Sequence, residues 1–424
     1  MSFNIGLSGL RGAQTELSVT GNNLANASTV GFKQSRAEFG DMYASLMGGG
    51  MDRPGMGVRT QQISQQHTQG GFDFTERSLD MAIDGEGYFI LDNRGETEYT
   101  RAGYFDLDKD GFVINNEGKR LQGFPSGAGD QMTDLQVSVG LIPQKVTDQA
   151  RVEINLDSRE VIPVDNEGNP LEFAADDPAT YNFSRALDIY DSLGEKHQLK
   201  QYFTLTQQLD GTNTWDVNFT LNDEAAGNTN TTLTFGPDGR LTQVGDVATV
   251  DDDGNPLPAL FDLEDLNVIE ELDINGQFEN IEINFSGMTQ YGASSSVLSL
   301  SQNGYASGSL AGLSVNEEGW ITGRYTNGQN IEIGRLGLAT FVNPQGLKQI
   351  GGNSWVETQD SGLAAVNPAG EGRSGLVQGG ALEQSTVDVS EELVKMIIAQ
   401  RNYQANAKTI QTQDTLNQTI INLR

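Results

Sequence analysis

"TVDVSEELVKMIIAQRNYQANAKTIQTQDTLNQTIINLR", residues 386–424, decides the kind of fold this chain adopts. From Val387 to Arg424 it has neither glycine nor proline, and Asp388 followed by Glu391 is typical of a capped helix start. The pattern predicts one helix of about 35 residues, roughly 50 Å long. Its apolar residues recur at heptad spacing, as in a coiled-coil seam. The predicted seam residues are Val389, Leu393, Met396, Tyr403 and Ile410.

The N-terminal residues carry a matching seam. Its members are Phe3, Leu10, Leu17 and Leu24, with Leu7 on the same stripe. Four glycines interrupt the segment, and each costs a helix about 1 kcal/mol relative to alanine, so we expect this helix to need a partner. Two narrow seams at opposite chain ends favour helices that pair with each other and with neighbouring copies. The alternative is that both seams bury against the protein's own core.

The long middle of the chain has the pattern of β-structure. Short runs such as MAIDGEGYFILD (81–92) and WDVNFTL (215–221) alternate or carry aromatic residues. Tight turns with glycine separate them, as in NRGE (93–96), DKDG (108–111) and NEGK (116–119). No strand–helix–strand alternation occurs, which predicts antiparallel sandwiches or barrels. Residues 40–70, rich in glycine, are predicted to be extended and loosely patterned.

Composition excludes several classes of function. The 424 residues carry a formal net charge of −32, and residues 130–290 hold 31 acidic against seven basic side chains. That balance argues against nucleic acid as a partner. There is no cysteine, so disulfides and thiolate chemistry are excluded. No apolar run approaches the roughly 20 residues that span a bilayer, and the N-terminus does not resemble a cleavable signal. We therefore expect no membrane insertion.

The two histidines, His67 and His197, lie far apart in sequence. A catalytic triad or a multi-histidine metal site is therefore not expected, and each is predicted to be an ordinary surface or turn residue. No catalytic motif, cofactor site or metal site is predicted, so the chain is not expected to be an enzyme.

One segment, DLDKDGFVINNE (106–117), matches the calcium loop of an EF-hand. Its candidate ligands are Asp106, Asp108, Asp110 and Glu117. An EF-hand needs a helix on each side, whereas EYTRAGYF and GKRLQGF flank this loop as strands would. We interpret it as two hairpin turns around a strand at Phe112–Ile114. Calcium binding by a loop between strands is the alternative.

The segment GNNLANASTVGFKQSRAEF (21–39) resembles the signature of flagellar rod and hook proteins. The likeness extends to RSLDMAIDGEGYFIL (77–91), YTRAGYFDLDKDGFVINNEGKRLQGF (99–124), LATFVNPQGLKQIGGNSWVET (338–358) and residues 380–424. Together these segments cover about half the chain, at both ends and in order. The signature residues are Asn22, Asn23, Asn26, Gly31, Phe32 and Lys33.

The resemblance implies a mainly β protein with paired terminal helices. Residues 1–30 and 381–424 would form a helical inner-tube domain, D0, and residues 31–70 a linker. A β domain, D1, would take 71–147 and 289–380, and an acidic outer β domain, D2, would take 148–288. Gly31, Phe32 and Lys33 would bridge the inner tube and the β body, with a passive linker as the alternative.

The resemblance also implies a function. The chain would be a structural subunit of the extracellular hook, polymerising with itself into a curved tube that transmits torque from motor to filament. Its partners would be the distal rod protein, the hook cap protein, the hook–filament junction protein and the flagellar type III export apparatus. Two alternatives stay open: a distal rod protein, which is normally shorter, and a calcium-dependent extracellular adhesin.

Overall fold

The computed structural model describes residues 2–42, 55–127, 129, 131–138, 140–209, 211–249, 257–263 and 276–422. The chain divides into two compact units. The first unit contains residues 1–139, 310–324 and 330–424, and the second contains residues 140–309 and 325–329. Both chain ends therefore belong to the first unit.

The N-terminal part of the first unit begins with a helix and continues as short strands. Helix α1 spans Ser2–Ala25. The strands are β1 (Ser35–Asp41), β2 (Val58–Gln65), β3 (Phe72–Phe74), β4 (Met81–Asp84), β5 (Tyr88–Asn93), β6 (Glu96–Thr100), β7 (Phe105–Leu107), β8 (Val113–Asn115), β9 (Arg120–Pro125) and β10 (Thr133–Asp134).

The second unit contributes the next set of strands and one short 3-10 helix at Pro178–Thr180. The strands are β11 (Gln149–Asp157), β12 (Phe183–Tyr190), β13 (Lys196–Leu209), β14 (Thr212–Leu221), β15 (Glu224–Phe235), β16 (Leu241–Val244), β17 (Val247–Ala248), β18 (Leu260–Leu263), β19 (Ile281–Asn284), β20 (Thr289–Tyr291) and β21 (Ser296–Gln302).

The chain then returns to the first unit and ends in a long helix. The returning strands are β22 (Leu310–Val315), β23 (Trp320–Tyr325), β24 (Asn330–Thr340), β25 (Lys348–Gly351), β26 (Ser354–Val356), β27 (Ala365–Pro368), β28 (Leu376–Gly379) and β29 (Ala381–Glu383). A 3-10 turn lies at Pro344–Gly346, and helix α2 spans Val389–Asn422. Asp388 caps α2, because its Oδ1 accepts the N–H groups of Ser390 and Glu391 at 2.8 and 3.1 Å.

The first unit is built from both halves of the chain. Among its described residues, strands β5 to β10 and β22 to β27 form one 12-stranded sheet, and its order β24-β9-β5-β6-β26 places three early strands between two late ones. Two further antiparallel pairs, β28 with β4 and β29 with β3, join the C-terminal return to the N-terminal half. Apolar side chains from both halves make the core, including Phe89, Leu121, Leu336 and Leu338. The prediction of a β domain split across the chain is confirmed.

The second unit is all β in its described part. Strands β12 to β17 form a six-stranded antiparallel meander, and β11 joins β18 to β21 in a five-stranded sheet. Alternate residues of these strands, such as Trp215, Val217 and Phe219, face one apolar core. The mainly β fold with helical ends is therefore confirmed.

Two features differ from the sequence-based prediction. The sequence-based bounds of D2 are 148–288, whereas the second unit begins at residue 140 and also includes residues 289–309, which those bounds place in D1. The reason is strand pairing, since β20 and β21 both bond to β11. The linker is also more regular than predicted, because β1 and β2 form an antiparallel hairpin that pairs Ser35 with Gln65 and Asp41 with Val58. Residues 43–54, including the predicted glycine run, lie outside the described residues.

Candidate functional site

The two terminal helices pack against each other through small residues. A Cβ at Gly6 would lie 3.1 Å from Ile410 Cγ1, and one at Gly9 would lie 2.6 Å from Asn406 Oδ1. Ala399 of α2 is almost fully buried. The glycines that weaken α1 as an isolated helix thus allow its backbone to approach α2 closely. The predicted pairing of the helices is confirmed, although glycines contribute strongly to the contact.

The predicted seam residues lie mostly at the margin of this contact. In α1, Phe3 is 47% exposed, and Leu7, Leu10, Leu17 and Leu24 are partly buried. In α2, Val389, Leu393 and Tyr403 are exposed, whereas Met396 and Ile410 are partly buried. The seams are therefore not the core of the pairing within one chain, and their role in assembly stays a prediction.

Helix α2 presents an apolar face that the described part of its own chain leaves exposed. Leu393, Val394, Ile397 and Ile398 follow one another at helical spacing and are 44–57% exposed. A row of aliphatic side chains this exposed is unusual on a monomer and is typical of a protein interface. We call these four residues the α2 apolar face.

The signature asparagines end α1 and fix the hairpin to it. The buried Asn23 side chain donates from Nδ2 to the Ser35 carbonyl at 2.8 Å and accepts the Ser35 N–H at 2.9 Å. It also donates to Glu392 Oε2 of α2 at 3.1 Å. Asn26 donates to the Asn22 carbonyl at 2.9 Å, in the last turn of the helix. Asn23 therefore joins three elements, which explains why the position needs both a donor and an acceptor.

Glu392 is the second member of this junction. Its buried carboxylate accepts from Gln34 Nε2 at 2.7 Å and from Lys395 Nζ at 2.9 Å. Glu16 of α1 lies nearby, and burial followed by repulsion from Glu392 raises the pKa of its carboxyl group. The start of α2 is thus held to α1 and to the linker by a buried polar network.

Gly31 and Phe32 begin the passage from α1 to the β domain. Gly31 has φ +68°, and a Cβ there would overlap the backbone of Arg101 and Ala102. Its N–H donates to the Glu383 carbonyl at 2.8 Å, and the Phe32 carbonyl accepts from the Thr386 N–H at 3.2 Å. Gly31 is therefore required for two reasons: its positive φ favours glycine, and the backbone of Arg101 and Ala102 leaves no room for a Cβ.

Lys33 completes the signature inside a buried cluster of charges around Glu383. The Glu383 carboxylate, fully buried, accepts from Lys33 Nζ at 2.6 Å, Arg101 Nη1 at 3.2 Å and the Gly70 N–H at 2.9 Å. Lys33 also donates to the Thr68 carbonyl at 2.5 Å. Burial lowers the pKa of Lys33, and the charge of Glu383 opposes that effect. We call Lys33, Arg101 and Glu383 the junction triad.

An aromatic clamp beside the triad holds the end of β2. His67 Nδ1 and Tyr88 Oη are 2.8 Å apart, and the His67 and Trp355 rings meet edge to face at 5.7 Å. Trp355 Nε1 donates to Gln65 Oε1 at 2.7 Å. Burial lowers the pKa of His67 to about 4, with Lys33 and then Arg101 adding repulsion. His67 was predicted to be an ordinary surface or turn residue, and the structure places it outside the strands but half-buried, with both an aromatic contact and a hydrogen bond.

The acidic loop 106–117 has the predicted hairpin turns. Asp108 Oδ1 accepts the N–H groups of Asp110 and Phe112, and Gly111 adopts φ +84°. Gly118 adopts φ +79° in the second turn. The Asp108 carboxylate therefore forms the first turn, and the Asn115 side-chain oxygen forms the second by accepting the N–H groups of Glu117 and Lys119.

The side chains at the two ends of the loop pair with cations. Asp106 lies 3.2 Å from Arg77 Nη2, and Glu117 lies 2.6 Å from Lys119 Nζ. A possible metal site needs several acidic or histidine side chains close together. Among the described residues, one such group of three, with ligand atoms within 4.8 Å of one another, occurs, and it lies in the second unit and not in this loop. The geometry thus gives no support to an adhesin built on this loop.

Sequence profiles match successive parts of the chain. They are the flagella basal body rod protein profile (residues 3–33), the D1 domain of flagellar hook protein FlgE/F/G (82–169), the D2 domain of flagellar basal body protein FlaE (155–305) and the C-terminal profile of basal body rod FlgEFG proteins (378–423). The first and last profiles cover α1 with the signature and α2, the elements joined at the junction.

Full-length relatives decide the family. The flagellar hook protein FlgE of Escherichia coli K12 is 36% identical over 100% of both chains. FlgE of Borreliella burgdorferi is 33% identical over 100% of this chain and 99% of its own. The chain belongs to the flagellar hook protein family.

A solved member of the hook protein family has a similar fold. The crystal structure of Helicobacter pylori flagellar hook protein FlgE2 matches with a TM-score of 0.54 and 15% identity, over 74% of this chain and 100% of that one. Among the described residues of this hook-family chain, no helix has the length and apolar character needed to cross a membrane.

Proposed function

We propose that this protein is the structural subunit of the bacterial flagellar hook, which polymerises into a curved, flexible tube. Family membership over the full length supports assembly within the hook and basal body. The observation that carries the proposal is the α2 apolar face, because it offers each subunit an interface that the described residues of its own chain leave exposed.

The tube would transmit torque from the motor to the filament while it bends. The paired helices would form the inner tube, D0, and hold subunits together continuously. The junction triad and the Asn23 network would pass load from D0 to D1, because buried hydrogen-bonded networks resist shear. The acidic middle segment would form the outer domain D2. Because neighbouring D2 domains would carry the same negative charge, the contacts between them would be weak and reversible.

We infer that the subunit leaves the cell through the flagellar type III export apparatus and assembles outside. Its further partners would be the distal rod protein below, and the hook cap and hook–filament junction proteins above. A chain without cysteine is suited to threading, since no disulfide can form before export. The subunit would act as structure and not as an enzyme.

Electron microscopy of a strain that lacks this gene tests the proposal. Complete rods without hooks are the expected result, and the wild-type gene on a plasmid should restore hooks. Truncated rods would contradict the proposal and favour the distal rod protein.

A further inference from the structure

The second unit holds a cluster of metal-ligand side chains that plays no part in assembly as proposed above. Asp191, Glu195 and His197 lie in and beside the turn between β12 and β13, and their ligand atoms are all within 4.8 Å of one another. Asp191 is fully buried, His197 is 7% exposed, and Glu195 faces solvent. The sequence-based prediction that His197 is an ordinary surface or turn residue was wrong.

The turn aims one carboxylate oxygen of Asp191 at the histidine. Asp191 Oδ1 accepts the N–H groups of Leu193 and Glu195 at 2.9 and 2.8 Å, which fixes the side chain. Asp191 Oδ2 then lies 3.3 Å from His197 Nε2. This is longer than the 2.7–2.9 Å typical of charge-assisted hydrogen bonds. It equals the separation of about 3.3 Å between two ligands of a tetrahedral ion with bonds of about 2.0–2.1 Å.

A second layer of residues holds the imidazole ring. Asn222, in the left-handed region at φ 51°, accepts the Gln198 N–H through Oδ1 at 2.9 Å and donates through Nδ2 to His197 Nδ1 at 3.0 Å. With this amide orientation the ring proton resides on Nε2. If a metal bound at Nε2, the ring proton would lie on Nδ1. The Asn222 amide would then have to rotate so that its Oδ1 accepts from Nδ1–H, and Oδ1 would no longer accept the Gln198 N–H.

The site is closed on one side and open on the other. Gly276 packs on Asp191, since a Cβ there would overlap Oδ2, and the Phe278 ring meets the His197 ring edge to face at 5.1 Å. Glu195 stands on the exposed side. This gives two ligands already in place, an apolar wall, and a third ligand that closes over an entering ion.

We propose that Asp191, Glu195 and His197 bind one divalent transition-metal ion of the zinc type, with water as the fourth ligand. One nitrogen and two carboxylate oxygens suit zinc. The ion links the two carboxylates of the β12–β13 turn to His197 of β13. Because it binds the folded second unit and not the unfolded chain, it stabilises that unit by mass action. The site stands independently of the proposed function in the hook.

Titration of the full-length, chelator-treated protein with zinc chloride in a calorimeter tests the site. We expect saturable binding of one ion per chain and a thermal midpoint of the second unit that rises with zinc concentration. Cobalt(II) should give the intense visible bands of a tetrahedral ion.

Matched variants separate the site from adventitious binding. Glu195→Gln should leave the zinc-free thermal midpoint unchanged, because Glu195 is exposed, and should weaken zinc affinity by at least about tenfold. Asn222→Asp should tighten affinity by about 10–100-fold, because its carboxylate accepts from Nδ1–H without giving up Gln198. Glu172→Gln, an exposed acid elsewhere in the unit, is the control. Absence of saturable binding, or equal affinity in the wild type, Glu195→Gln and His197→Gln, would overturn the proposal.

Discussion

Gly9 of α1 lies against Asn406 of α2, so that a Cβ at position 9 would meet three side-chain atoms of Asn406 within 2.9 Å. Gly9→Ala should therefore turn the Asn406 side chain aside and break its hydrogen bond to the Asn402 carbonyl, and this loss should offset most of the roughly 1 kcal/mol that alanine gains over glycine in a helix. Thermal unfolding of the full-length protein, followed by circular dichroism at a helical wavelength, measures the change.

Gly21→Ala is the control for this prediction, because nothing lies within 4 Å of a Cβ at position 21. It should raise helical stability by up to about 1 kcal/mol. If both variants were stabilised alike, the close contact at Gly9 would be refuted.

Removal of the negative charge from the junction triad should destabilise the folded protein strongly. Glu383→Gln leaves Lys33 and Arg101 buried without a counter-charge, and we expect a loss of about 3–5 kcal/mol in the free energy of unfolding. Urea denaturation measures this loss. Glu86→Gln is the control, because both side chains of its pair with Arg373 are exposed and the pair should contribute at most about 1 kcal/mol. Similar losses in the two variants would contradict the special position of Glu383.

The aromatic clamp should lose stability in acid. His67 has a pKa near 4 in the folded protein and 6.5 as its ordinary value, so between these pH values the unfolded chain binds more protons. Stability therefore falls as pH falls from 6.5 towards 4, by up to about 3 kcal/mol from this residue. Urea denaturation at pH 6.5 and 4.5 should show a smaller loss for His67→Asn than for the wild type. Equal losses would exclude His67 as the source.

The α2 apolar face should matter for assembly and little for the single chain. Val394 and Ile397 are 56% and 57% exposed, so changing both to serine should alter unfolding free energy by less than about 1 kcal/mol. Polymerisation, measured by sedimentation and negative-stain microscopy, should fall sharply. Gln404→Ser, exposed on the same helix, should polymerise normally. Normal tubes from the double variant would disprove this interface.

The terminal helices should be dispensable for the fold and essential for the tube. Removal of residues 1–30 and 395–424 retains Lys33, Arg101, Glu383 and Glu392, and should leave a folded monomeric β core. Size-exclusion chromatography and circular dichroism check the fold. Tubes formed by this fragment would show that the helices do not carry assembly.

Local signals in the sequence were sufficient for several elements. The glycine-free run after Val387 and the cap at Asp388 predicted α2, because helix starts depend on neighbouring residues. Glycines after acidic or polar residues predicted the turns at Gly95, Gly111 and Gly118, which all have positive φ. These features need no distant partner.

Features that depend on distant partners were missed. The β1–β2 hairpin packs on α1, with Phe39 and Val58 facing Gly12, and its largely polar strand sequences, SRAEFGD and VRTQQISQ, give no clear period. His67 is half-buried against Trp355, and His197 is buried against Phe278. Heptad leucines predicted that the helices pair, but the contact also uses glycines, because apolar periodicity does not show how closely two backbones approach.

The junction triad has a consequence for the order in which the molecule can be completed. Lys33 and Glu383 lie 350 positions apart, so a chain made or delivered from its N-terminus holds an unpaired lysine for nearly its whole length. The triad cannot close until almost the last residues are present, and such long-range contacts form slowly. A prematurely terminated chain lacks Glu383 and cannot lock its linker to its β domain. The buried ion pairs that tie the linker to the β domain therefore exist only in a chain that is complete to within about 40 residues of its C-terminal end.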